Sequence, residues 1–214
     1  MLKRVIVILA FIAIVFHPRI PVEAHPHAWI DLETTALFDE SGKFTGLEQT
    51  WLFGDFYSGY VLADIGSDDR EVIIKGLREV GSSNLRNLRE YDYFTRIETA
   101  GKAQSISDVD NFETGVINGR VYLKFTTSLR EAVDPQKAVV RYATYDPSYY
   151  IEILYTEESF PRLQATGAPV CSIDLERPSP TFDQLAYAAS LDQTDTASDG
   201  LGKLFAEWTT IACD

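Results

Sequence analysis

The sequence predicts a mostly β fold with inserted helices, a β-sandwich-like single domain, with an α+β arrangement as the alternative. Three observations carry this. Apolar and polar residues alternate with period two from His27 to Phe38. Asn118-Gly119 joins two further runs of this kind and supplies the two positive-φ positions of a type I′ hairpin turn. Helical spacing is confined to a few stretches, the best of them over residues 69–81.

The chain opens with what reads as a secretory signal peptide over residues 1–24. Lys3 and Arg4 form a charged start, and Val5 to Phe16 is an apolar run of 12 residues. Crossing a bilayer core as a helix takes roughly 20. Val22-Glu23-Ala24 offers small or aliphatic residues at the positions a signal peptidase reads. An uncleaved N-terminal anchor is the alternative. Cleavage after Ala24 leaves residues 25–214 as one exported domain, or a domain with an appendage, with no membrane insertion afterwards. It removes Lys3, Arg4, Arg19 and Glu23, so the net charge moves from −13 to −15. Such a chain repels nucleic acid and anionic membrane surfaces, which bind positive patches. It tolerates cations. Cys171 and Cys213 are the only cysteines. In an exported chain an even pair reads as a disulfide; two free thiols acting as metal ligands are the alternative.

In the first strand, Ala28, Ile30, Leu32, Thr34, Ala36 and Phe38 fall on one side, the better core face. His27, Trp29, Asp31, Glu33 and Thr35 fall on the other, the better site face. Asp39 to Lys43 is turn chemistry, and Phe44 to Phe53 returns as the second arm of a hairpin. Gly54-Asp55 breaks that strand, and a short helix through Ala63 follows. The carboxylates of Asp68 and Asp69 suit the start of the helix over 69–81, which can run on through Leu85 and Leu88. Tyr91 to Glu98 reads as a strand turned by Ala100-Gly101-Lys102. Phe112 to Ile117 and Arg120 to Thr127 flank the Asn-Gly turn. Ala138 to Thr144 and Tyr149 to Tyr155 are two more strands, joined by a turn that Pro147 fits. Residues 156–169 read as loop, and Val170 to Ile173 as a short strand. Phe182 to Leu191 is a short helix, and 192–200 a mobile polar loop. A helical turn and a last strand ending at Cys213 complete about eight strands.

The chemistry concentrates at the head of the first strand. His25 and His27, two apart in extended backbone, lie on one side about 7 Å apart. Their imidazoles can converge on one ion at about 2.0–2.1 Å. Cleavage adds the α-amine of His25, and Asp31 and Glu33 lie further along the same face. Imidazole and carboxylate suit zinc, nickel, cobalt or copper. The square-planar clasp through deprotonated backbone amides is excluded, because Pro26 has no amide hydrogen. A polar chain tip that happens to hold two histidines is the alternative. Asp55 and Asp146 read as turn or capping residues, and Asp108 and Asp110 as loop charges. The sequence has no Gly-rich phosphate loop, no Ser-His-Asp arrangement with a usable base and no Cys-x-x-Cys.

With His25-Pro26-His27-Ala28-Trp29-Ile30-Asp31, the chain resembles the exported proteins grouped as domain of unknown function 1007. Thr50-Trp51-Leu52-Phe53, Phe56-Tyr57-Ser58, Tyr93-Phe94-Thr95, Tyr145-Asp146-Pro147-Ser148-Tyr149-Tyr150 and Leu201-Gly202-Lys203-Leu204-Phe205-Ala206-Glu207 extend the resemblance. It implies a periplasmic accessory protein for divalent-metal transport, because genes of that family commonly accompany nickel/cobalt permeases and some members are implicated in zinc uptake. The implied metal ligands are His25, His27, Asp31 and Asp146, and the implied partner is an integral-membrane metal permease. Where the family carries an acidic residue after the equivalent of Phe53, this chain has Gly54, with Asp55 next. It also lacks the His-rich stretch of many relatives, so its expected capacity is about one ion.

The sequence is read as non-enzymatic. A copper oxidase built on an N-terminal His brace requires a second His from a distant strand, and the mature chain supplies none. A metal-independent adaptor, docking a permease through Phe53, Phe56, Tyr57, Tyr149 and Tyr150, is the competing reading.

Overall fold

The computed structural model describes residues 26–109, 111–164, 169–191 and 200–214. Two sheets and a helical layer enclose one core, as the alternation predicts. In the first sheet β1 (Ala28–Phe38) pairs antiparallel with β2 (Phe44–Phe53), which pairs with β6 (Arg120–Val133), which pairs with β5 (Phe112–Ile117). On its other side β1 takes β8 (Ile151–Tyr155) in parallel, and the two-residue β9 (Arg162–Leu163) beyond it. The second sheet runs β10 (Cys171–Glu176), β11 (Trp208–Cys213), β7 (Val140–Thr144), β3 (Thr95–Thr99) and β4 (Lys102–Ala103).

The two faces of β1 divide as the sequence reading has them. Ile30, Leu32, Thr34, Ala36 and Phe38 are buried, while Trp29 and Glu33 are exposed. Asn118 and Gly119 take φ of 51° and 81°, the pair a type I′ turn requires. Behind that turn Val121, Leu123 and Phe125 are buried.

Different layers cover the inner face of the first sheet at its two ends. The helices α1 (Asp55–Ile65) and α2 (Arg70–Leu88) lie over the end where β1 begins, packing Val61, Leu77 and Leu85 into the core. Asp69 caps α2, accepting from the amides of Glu71 and Val72 at 2.8 and 3.2 Å and satisfying donors the helix cannot. The second sheet covers the other end. There polar side chains bridge the layers. Thr34 Oγ1 lies 3.0 Å from the Tyr142 hydroxyl and 2.7 Å from that of Tyr155. Gln49, fully buried, donates to the hydroxyls of Thr95 and Thr127 and accepts from that of Thr144.

Cys171 and Cys213 form a disulfide across directly opposed positions of β10 and β11, with Cα atoms 4.0 Å apart. That uses both cysteines of the chain and removes the free-thiol alternative. The strand expected over Tyr91 to Glu98 begins only at Thr95. Residues 89–94 instead form a kinked turn in which Asp92, Tyr93 and Phe94 all have positive φ. The Tyr93 hydroxyl accepts from the Val109 amide, and Tyr93 is buried; this packing overrides the local preference for extended backbone. Helix α3 (Phe182–Ser190) and the short α4 (Leu201–Phe205) fall where the sequence places helices. Residues 1–25, with the expected leader, and 192–199 of the expected mobile loop lie outside the described residues. Among the described residues no helix is long and apolar enough to cross a membrane.

Candidate metal centre

His27 stands one residue before β1, where the strand enters the first sheet. Its amide donates to the Tyr150 carbonyl at 2.8 Å, and its ring lies 4.7 Å from that of Tyr150. Backbone and side chain of this histidine are thus both referred to the 146–150 turn. His25, its expected partner, lies outside the described residues.

Asp146 organises that turn. It is buried, and one carboxylate oxygen accepts from the Ser148 amide and hydroxyl at 2.8 and 2.7 Å. The other accepts from the Ile151 amide at 3.0 Å. These bonds close the turn and start β8 beside β1. Asp146 thus acts as the turn former its place before Pro147 suggests, and it sits in the loop that also holds His27. The N-terminus of α4 docks on the same loop. The Gly202 amide donates to the Pro147 carbonyl at 3.0 Å, and a Cβ on Gly202 would stand 1.8 Å from the Asp146 carbonyl oxygen. Only glycine permits that approach.

Asp31 is committed elsewhere. It lies four residues along from His27, roughly 13 Å in extended backbone, and its Oδ2 is 2.6 Å from Arg120 Nη1. Arg120 also donates to the carbonyls of Phe53 and Leu52 at 2.8 and 3.0 Å. It thereby ties β1 and β2 to the strand after the Asn-Gly turn. Glu33, further along, pairs with Arg162 at 2.7 Å. Both carboxylates line a concavity of about 440 Å³ on the outer face, with Thr50, Arg120, Tyr122 and Glu158 beside the apolar Leu52 and Ile117. Asp55 is the exposed first residue of α1, and Asp108 pairs with Arg89. Asp110 lies outside the described residues.

The structure therefore brings His27 and the Asp146 turn to one end of the sheet and leaves Asp31 to Arg120. Among the described residues no three His, Cys, Asp or Glu side chains gather as a metal-holding group. The described residues alone do not make up a metal centre here, and His25 lies outside them.

One buried carboxylate escaped the sequence reading. Glu207, between α4 and β11, accepts from the Tyr155 amide at 2.6 Å and pairs with Arg177 at 3.0 Å. Burial pushes its pKa up, with the Tyr155 amide and Arg177 opposing and Glu152 adding to the rise. It thereby caps the edge of β8 from the second sheet. Its one local signal is an acidic residue inside the apolar run Leu204 to Trp208.

An uncharacterized protein of Haemophilus influenzae (strain ATCC 51907 / DSM 11121 / KW20 / Rd) is 26% identical to this chain over 194 residues, covering 90% of this chain and 93% of the relative. No solved structure matches. A family model fits residues 9–213, nearly the whole chain, and the protein belongs to that family, described as protein of unknown function DUF1007.

Proposed function

We propose that the protein is a periplasmic divalent-metal-binding accessory of a zinc, nickel or cobalt transport system. It holds one ion through the N-terminal His25-Pro26-His27 segment and presents it to an integral-membrane permease. The observation that supports this best is the fixing of His27 at the entry to β1 by the Tyr150 carbonyl. That contact fixes the backbone carrying the imidazole, outside the hydrophobic core cluster. With both cysteines in a disulfide, the ligands are nitrogen and oxygen, the set that suits zinc, nickel and cobalt and also admits copper. The acidic surface, net charge −13 for the whole chain, concentrates cations around it. The disulfide and the signal-like leader fit an oxidising, exported setting.

The test is calorimetric titration of the chain beginning at His25 with zinc, nickel, cobalt and copper. The expected result is one ion per chain, with affinity falling below about pH 6 as the imidazoles protonate. Replacing His25 and His27 together with Ala should abolish tight binding and leave the thermal transition in place. Unchanged affinity in that variant overturns the site.

A metal-independent adaptor is the second reading. Of the aromatics named for it, Phe56 is 86% exposed and Tyr150 is exposed, Tyr57 is half-buried, and Phe53 and Tyr149 are buried in the core and drop out; Tyr60 and Trp29 add exposed rings to the same end. Aromatic residues on this scale suit a protein partner. Pull-down of the permease by the double-alanine variant favours this reading.

A further inference from the structure

Between the first sheet and the C-terminal part of α2 lies an apolar cavity of about 190 Å³. Its floor is Ile30, Trp51 and Leu123, all nearly inaccessible to solvent. Phe53 and Ile151 extend the sheet side, and Leu88 and Phe94 close the other. Three uncharged polar side chains also line it: Tyr57, Asn84 and Asn87. Asn84 donates to the Tyr57 hydroxyl at 3.0 Å, which links α2 to α1 across this space. Among the described residues no charged side chain lines the space.

Two features argue that the volume is maintained rather than left over. Helix α2 approaches the sheet closely at Gly81, where a Cβ would stand 2.9 Å from Phe112 and 3.3 Å from Leu123. The cavity lies further along the same helix, so it is not a general looseness of packing. The Phe94 wall is set by the run of positive-φ residues 92–94, which are not glycine; such backbone is strained and persists only where its surroundings hold it. That backbone stacks Phe94 on Trp51, with ring planes 14° apart, beside the space. The space opens to solvent past Asn87, and its apolar walls leave water there with few partners. An enclosed apolar void of roughly 150 Å³ accepts benzene, which sets the scale of a one-ring body.

We propose that this cavity is a binding site for small uncharged amphiphiles: an apolar body of about one ring and a single hydrogen-bonding head. The body lies between Ile151 on the sheet side and Leu88 and Phe94 opposite, above the floor of Ile30, Trp51 and Leu123, and the head meets Asn84, Asn87 or the Tyr57 hydroxyl. The absence of lining charge selects against carboxylates and ammonium groups, whose desolvation nothing there offsets. Its lining includes Ala28, the residue after His27, and among the described residues contains no histidine or carboxylate.

The test is a titration with p-cresol, toluene and 4-methylbenzoate in the presence of a chelator. It is read by saturation-transfer NMR and by the shift of the melting temperature. p-Cresol should bind with a sub-millimolar Kd and raise the melting temperature, toluene should bind about tenfold more weakly, and 4-methylbenzoate should not bind. Leu88→Phe and, from the opposite wall, Ile151→Phe each reduce the space and should each weaken p-cresol at least tenfold. Asn84→Leu should erase the preference for p-cresol over toluene. Failure of p-cresol to bind overturns the proposal, as does binding that both filling variants leave unchanged or equal binding of the benzoate. Metal titration of Leu88→Phe and Asn84→Leu, both on α2, should be unaffected, so the two sites stand or fall separately.

Discussion

The inner and outer faces of the first sheet use polar residues in opposite ways. Inside, Thr34 and Gln49 are buried and bonded to the facing sheet through Tyr142, Thr95 and Thr144. Outside, Asp31 and Glu33 reach Arg120 and Arg162 across a surface open to solvent. Inside, every partner of Gln49 has been taken from water, so losing one member leaves the others unsatisfied. Outside, water replaces a lost partner at small cost. The outer face is therefore the one free to change, and it is the face that continues back to the His27 end.

The sharpest way to break this comparison is Gln49→Ala. It strands the amide's hydroxyl partners and opens a gap between the sheets, and should cost about 3 kcal/mol in urea unfolding. A loss within the scatter of surface substitutions would mean the network is not closed. On the outer face the expected effects are smaller and unequal. Arg120→Ala removes three hydrogen bonds from one half-buried side chain and should cost about 2 kcal/mol. Glu33→Gln, in an exposed pair, should stay within about 0.5 kcal/mol and lose even that in high salt. Equal losses in the two variants would erase the distinction drawn between them.

The smallest effect is the pH term at the sheet's edge. Glu207 holds its proton more tightly in the folded chain than its ordinary value of 4.5, chiefly because it is buried. The folded state then binds more protons than the unfolded one between those two values. Stability from this residue is full below about 4.5 and declines as pH rises through the folded value. Glu207→Gln keeps an acceptor for the Tyr155 amide and removes the titration. Subtracting its stability profile from that of the parent should leave a curve falling with pH. A difference that is flat, or rises, contradicts the assignment.

Much of the fold is legible in short stretches. The alternation from Ala28 to Phe38 gives both the strand and its buried side, because a pleated strand sends successive side chains to opposite faces. Asn118-Gly119 gives a turn because few other dipeptides adopt its backbone cheaply. Asp146 before Pro147 gives the turn that its carboxylate then closes. The kink at Asp92-Tyr93-Phe94 is not legible, since Asp92 alone tolerates positive φ and the two aromatic residues after it adopt it only under the packing of the buried Tyr93 ring. At the candidate site, the histidine pattern and the face carrying Asp31 could be read from the chain. That Asp31 belongs to Arg120, 89 positions away, could not.

By itself the sequence determined the alternating strands, the helix starts, the tight turns and the acidic balance, because each depends on neighbours within a few residues. Tertiary structure alone decided that β8 lies parallel beside β1 and sets Tyr150 against His27. It also decided which carboxylates are spent on arginines and where an apolar space stays open beneath α2. Those outcomes follow from which surfaces meet when the layers close, and side-chain order along the chain carries no record of that meeting.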